Sequence, residues 1–169
     1  MKGMVLRHPS LAIRAAMTLL LSSTAVAQRQ PEVTASTVVF VCEHGAAKSV
    51  IAAAQFNRLA AQKGLPYRAV SRGTKPDEAV AAAVRTGLAS DGMDVSAWRP
   101  TAITNEEVRR AAQVVSLGTD LAATKPFAKN KVVEWNDIPS VTQNYESARS
   151  AISRQVESLV ESMMATLRK

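Results

Sequence analysis

The chain has 169 residues, 47% of them hydrophobic, with seven glycines and seven prolines. That is enough for one domain with a real core, too short for two, and too apolar for a disordered chain. The formal net charge is +7, yet no basic run is long enough to point to nucleic acid. One cysteine and two histidines exclude an internal disulfide and the usual metal-ligand sets, so neither metal nor cofactor is expected.

The first 27 residues read as a secretory signal peptide. Lys2, Arg7 and Arg14 precede the apolar run Ala15 to Leu21, and Ala25-Val26-Ala27 is a small-x-small cleavage site. The run is well short of the roughly 20 residues a spanning helix requires, which argues against a membrane anchor. The expected mature chain therefore begins near Gln28, is exported, and has the periplasm as its expected compartment. Losing three basic residues and no acidic ones lowers the net charge from +7 to +4, a mild basicity that suits an anion-binding protein. Gln28 to Ser36 is polar and without periodicity, a flexible leader before one domain over residues 37–169.

Val38-Val39-Phe40-Val41 is a run of β-favouring apolar residues of the kind found in a central parallel strand. The run leads into Cys42-Glu43-His44-Gly45-Ala46-Ala47-Lys48-Ser49, where helix-forming composition begins at Ala46. Cys42 is thus placed at the carboxyl end of a strand, where open α/β sheets bind ligands. If residues 43–48 curl around the sulfur, backbone N–H groups and the next helix's N-terminus converge on one point. That makes a nest for a tetrahedral oxyanion and favours the thiolate. A lone cysteine in an exported protein is a free thiol with a purpose, an intermolecular bridge or an inert buried residue. Its place before a glycine-containing loop favours the first.

At these residues the sequence resembles the low-molecular-weight protein tyrosine phosphatases and the arsenate reductases built on the same fold. The family pattern is a strand ending in Cys, five residues, Arg, then Ser or Thr. Cys42 and Ser49 keep the spacing, while Lys48 replaces the Arg and His44 and Gly45 replace the family's loop Gly and Asn. Glycine reaches positive φ without steric cost, so Gly45 is a sensible stand-in for an Asn held there. Lysine for arginine exchanges a planar two-pronged grip for a point charge. The resemblance implies Cys42 as nucleophile, Lys48 and the amides of Glu43, His44, Gly45, Ala46 and Ala47 as the oxyanion cradle, and Ser49 as the hydroxyl that assists the sulfur.

Further along, Ala46 to Lys63 carries a helical stripe of Ile51, Ala52, Phe56, Leu59 and Ala60, with Gly64 and Pro66 as stop signals. Tyr67 to Ser71 reads as a second strand. It leads into Ser71-Arg72-Gly73-Thr74, similar to the family's Ser-x-Gly-Thr turn and equally an ordinary turn with Thr74 as N-cap. Pro76 to Ser90 is expected as a helix, with Asp77 and Glu78 complementing its dipole and Val80, Val84 and Leu88 spaced by four. Thr104 and Glu107 form a capping box for a short helix to Ala112, and Val114 to Leu117 is the third strand. Lys131 to Trp135 is the fourth, followed by Asn136-Asp137-Ile138-Pro139. The family carries its general acid in an Asp-Pro pair at this place, so the resemblance assigns that role to Asp137; the residues alone also allow a turn-capping aspartate. Ser140 and Val141 stand where tyrosine-specific members carry aromatics, so phosphotyrosine preference is not implied. Tyr145 to Arg168 is the last helix, with Ala148, Ile152, Val156, Leu159, Met163 and Leu167 on one stripe and its methionines filling core.

The element order predicts a three-layer α/β sandwich with a four-stranded parallel sheet. Two readings of function follow. The chain is a cysteine-dependent phosphatase acting on a phosphorylated small molecule or protein through a thiophosphate, or it binds phosphate or arsenate without turnover. Arsenate reduction is a narrower variant that requires an external thiol, because no second cysteine exists to close a disulfide.

Overall fold

The computed structural model describes Pro31, Glu32, Thr34, residues 36–121 and residues 132–168. The expected signal peptide, most of the expected leader and Lys131 of the expected fourth strand lie outside the described residues. Four strands, β1 (Thr37–Cys42), β2 (Arg68–Gly73), β3 (Gln113–Ser116) and β4 (Val132–Glu134), form one all-parallel sheet in the order β2-β1-β3-β4. The helices are α1 (Lys48–Lys63), α2 (Ala82–Ser90), α3 (Asn105–Arg110) and α4 (Tyr145–Leu167).

β1 is central because all six of its residues are buried. Alternate strand residues face opposite sides. Val38, Phe40 and Cys42 join a core shared with α1, α2 and α4, whereas Val39 and Val41 join a smaller one with Val70, Val108, Val114 and Leu121. The continuous apolar run in the sequence is thus one strand covered on both faces, the middle of the three expected layers. Phe40 also meets the rings of Phe56 and Trp135, at centroid distances of 5.9 and 5.5 Å.

Thr104 and Glu107 close the expected capping box, each side chain bonding the other's backbone. Glu107 also receives the buried Arg72 guanidinium at 2.8 Å, which ties α3 to β2. In α4 the buried residues are Ala148, Ile152, Val156 and Val160, with Leu159, Met163 and Met164 packed partly against the core. The methionines are core filling as expected. Leu167 departs from the stripe: it is 51% exposed at the helix end.

The clearest departure is α2, which begins at Ala82 and not in the first turn after Pro76. Residues 74–81 run in extended contact with the loop after β1. Lys75 N–H donates to the Glu43 carbonyl (2.8 Å), Asp77 N–H to His44 (3.0 Å) and Ala81 N–H to Ala46 (3.0 Å). These tertiary hydrogen bonds satisfy the backbone and override the local helix signals of Pro76, Asp77 and Glu78.

Candidate active site

The loop between β1 and α1 owes its shape to backbone pairing. Thr74 N–H donates to the Cys42 carbonyl at 3.2 Å, so the carbonyls of residues 42, 43, 44 and 46 are all engaged by residues 74–81. A trans peptide plane points each carbonyl opposite to the next residue's N–H. The amides of Glu43, His44, Gly45 and Ala47 therefore turn away from that segment, and among the described residues none of them donates to another backbone group. At the end of the loop α1 starts on Ala47 with no side-chain cap and no acidic residue in its first turn. Uncapped amides at a helix start form an anion-binding end.

Two glycines permit this pairing. Gly45 has φ +61°, and a Cβ there would stand 2.8 Å from the Gly73 nitrogen. A Cβ on Gly73 would stand 2.8 Å from the Gly45 nitrogen. The positive φ expected at Gly45 is present, and the glycine of Ser71-Arg72-Gly73-Thr74 is required by close backbone approach. Thr74 does not cap a helix; its hydroxyl turns to the Glu43 carbonyl.

Cys42 lies at the base of the loop, 6% exposed, with Sγ 3.1 Å from the Oγ of fully buried Ser49. A cavity of about 380 Å³ opens over it, lined on one side by Cys42, Glu43, His44, Ala47 and Lys48 and on the other by Leu117, Gly118, Ser140, Val141 and Thr142. Lys48 spans the two sides: its Nζ donates to the Ile138 carbonyl at 2.8 Å and stands 3.5 Å from the place a Cβ of Gly118 would take. An ammonium has three donors, so two remain for a guest in the cavity.

Of the residues singled out from sequence, Cys42, Lys48 and Ser49 come together, and Glu43, His44 and Ala47 reach the cavity. Gly45 and Ala46 contribute backbone beneath it. Asp137 is exposed and is not among the residues lining the cavity, although its neighbour Ile138 receives Lys48. The Glu43 carboxylate is turned to Lys75 at 3.5 Å and His44 at 3.7 Å.

Sequence reasoning missed several contributors. Ser140 and Thr142 bond each other at 2.8 Å on the far wall, and Asp77, read as a helix-dipole residue, meets His44 Nδ1 at 3.2 Å. No local pattern signals either contact. A Ser-x-Thr pair just past a strand end and an Asp a few residues past the second strand were the only hints, because the loops at strand ends converge in any parallel sheet.

A central parallel strand ending in cysteine, an amide-lined loop and a serine on the sulfur are what the fold brings together here. The model of the family described as low molecular weight phosphotyrosine protein phosphatase matches residues 37–169, and the chain belongs to that family. No curated protein sequence matches it. Among solved structures it is similar to the low molecular weight protein tyrosine phosphatase from T. tengcongensis, at 20% identity and TM-score 0.69, covering 75% of this chain and 98% of that one. It is also similar to a thioredoxin-dependent arsenate reductase from Corynebacterium glutamicum, at 23% identity and TM-score 0.66, covering 79% and 63%. A third is an arginine phosphatase from Geobacillus stearothermophilus, at 20% identity and TM-score 0.66, covering 78% and 94%.

Proposed function

We propose that the protein is a cysteine-dependent hydrolase of phosphomonoesters. The observation that carries this reading is Cys42 Sγ held 3.1 Å from a buried Ser49 hydroxyl beneath loop amides that have no backbone partner among the described residues. In the first half-reaction Sγ attacks phosphorus, the bond from phosphorus to the ester oxygen breaks, and that oxygen leaves with a proton from the cavity wall. The loop amides and the free Lys48 donors hold the equatorial oxygens while charge shifts onto them. In the second half water displaces the sulfur from the thiophosphate. The Ser49 hydroxyl donates to the departing thiolate, which lowers the cost of its release.

A second reading rests on Lys48. Its ammonium is already committed to the Ile138 carbonyl, so a protein that binds phosphate or arsenate without turnover also fits the site. Arsenate reduction at the same loop requires an external thiol as electron donor. The reading of Met1 to Ala27 as a signal peptide supports an exported, periplasmic site for any of these activities.

Turnover of an aryl phosphate by reduced mature protein tests the hydrolase reading. Wild type turns over and Cys42→Ser does not. Lys48→Arg raises turnover and tightens phosphate binding measured by titration calorimetry, because a guanidinium offers two directed bonds for one point charge. Tighter binding without turnover in either protein supports the binding reading. A loss of both in Lys48→Arg makes the lysine a working part of an altered site.

A further inference from the structure

We infer that the ester this site accepts is a small polyol phosphate, held through its own hydroxyls by Ser140 and Thr142; the inference deepens the hydrolase reading above and rests on it.

In-line displacement puts the leaving oxygen on the far side of phosphorus from the attacking sulfur. With the phosphoryl group on the loop amides, the rest of the ester extends from Cys42 into the cavity, where it meets the wall of Leu117, Gly118, Ser140, Val141 and Thr142. Little of that wall is apolar surface. Leu117 is 2% exposed and Val141 7%, because both pack into the core shared with α1, α2 and α4, and Gly118 has no side chain. Ser140 and Thr142 flank the buried Val141; the first is partly buried and the second exposed. What the wall offers a guest is therefore hydroxyl.

The two hydroxyls meet each other at 2.8 Å. That bond uses one O–H and one lone pair, so an O–H and several lone pairs stay available. Adjacent hydroxyls on a substrate match this set, since each of them also both gives and accepts. An aryl ester is served less well, because no Phe, Tyr or Trp lines the cavity for a ring to pack on.

Charge and size narrow the class further. Lys48 is the one lysine or arginine of the lining, and its spare donors serve the phosphoryl oxygens; Glu43 is the one carboxylate. A second anionic group on the leaving alcohol would meet no cation of its own and would lie near Glu43, so the alcohol is uncharged. The volume of about 380 Å³ is near the low end of the roughly 300 to 1,000 Å³ of small-molecule sites, which suits a free ester over a phosphorylated protein.

The test is phosphate release from glycerol 3-phosphate, propyl phosphate, phenyl phosphate and a phosphoserine peptide by reduced wild type, Cys42→Ser, Thr142→Ser and the double variant Ser140→Ala with Thr142→Val. Circular dichroism verifies that the variants are folded. The readout is the ratio of kcat/KM for glycerol 3-phosphate to that for propyl phosphate, two esters of equal carbon count that differ in hydroxyls. Comparing the ratio between proteins cancels the intrinsic reactivity of the esters. It falls roughly 4- to 100-fold in the double variant, the worth of two neutral hydrogen bonds. Thr142→Ser keeps a hydroxyl and retains the wild-type ratio. A ratio unchanged in the double variant, or lost equally in Thr142→Ser, overturns the inference and leaves the hydrolase reading standing. So does turnover of phenyl phosphate with none of glycerol 3-phosphate, or a higher kcat/KM for the peptide than for glycerol 3-phosphate. No Cys42-dependent turnover of any of the four esters overturns both.

Discussion

The two sides of the cavity are built by different means. On the nucleophile side, four backbone hydrogen bonds and one contact between glycines lock residues 42–46 to residues 73–81, with geometry set by main chain. On the far side, the hydrogen bond between residues 138–142 and the loop, among the described residues, runs from the Lys48 side chain to the Ile138 carbonyl, beside apolar packing of Ile138 and Val141 in the core that includes Cys42. Backbone pairing between elements already fixed by the sheet leaves little freedom. A single ammonium on a flexible stem allows adjustment. The loop beneath Cys42 is thus fixed by main chain, and the polar link to the facing wall is adaptable.

The largest effect expected from breaking this contrast comes from Gly45→Ala. It places a Cβ against the Gly73 backbone at positive φ, a conformation that alone costs about 1 to 3 kcal/mol. Urea unfolding shows that loss in full, and Cys42-dependent activity disappears because the cup no longer closes. Lys48→Met sharpens the contrast from the other side. Oxyanion affinity and turnover fall, the latter by roughly 100- to 1,000-fold on the scale of one lost oxyanion donor, while stability changes by only about 1 kcal/mol.

Ser49→Ala is expected to act on one half of the reaction. It removes the hydroxyl that bonds Sγ, an interaction with a charged partner of about 1.5 to 3 kcal/mol, so breakdown of the thiophosphate slows more than its formation. A larger burst relative to steady-state turnover in rapid-quench measurements is the expected outcome.

The smallest effect lies where the adaptable wall runs into α4. Tyr145 packs its ring on Gly87 so closely that a Cβ there would stand 2.2 Å from it, and among the described residues its hydroxyl has no partner. Burial, then the Asp91 carboxylate, pushes the Tyr145 phenol above its ordinary value, with Arg149 acting in the opposite sense. The neutral phenol is the form the fold accepts. Its contribution is complete below the unfolded value near 10 and is lost as pH rises through the higher folded value. Tyr145→Phe is therefore neutral to stabilising by about 1 kcal/mol at pH 7 and flattens the alkaline fall in stability measured by urea unfolding. Nearby, Arg149 forks onto Asp91 with two bonds of 2.6 Å and keeps α4 aligned on α2 in either variant.

The parts of the molecule legible in the sequence are those that local pattern determines. The apolar run before Cys42, the capping box of Thr104 and Glu107, and the stripe of α4 each depend on residues close together in the chain. The start of α2 was not legible, because residues 74–81 take their conformation from carbonyls some 30 residues earlier, and no propensity scale contains that contact. The same holds for the site. Cys42 and Ser49 are legible by the spacing they share with the family pattern, and Gly45 by standing where the family carries an Asn at positive φ. The meeting of His44 with Asp77, and of Lys48 with Ile138, depends on which strand ends the sheet order brings together.

That sheet order has a kinetic side. β1 leaves the ribosome first among the strands, yet it is the middle of the sheet: Thr37 pairs with Arg68 and Val38 with Gln113. Among the described residues every strand pairing is parallel, so none of these ladders can start as a hairpin. Chains dominated by such distant pairings fold slowly, since the entropy of closure is lost before the contacts form. Until β3 arrives, β1, apolar from Val38 to Cys42, has one unpaired edge, the kind of surface on which partly folded chains associate.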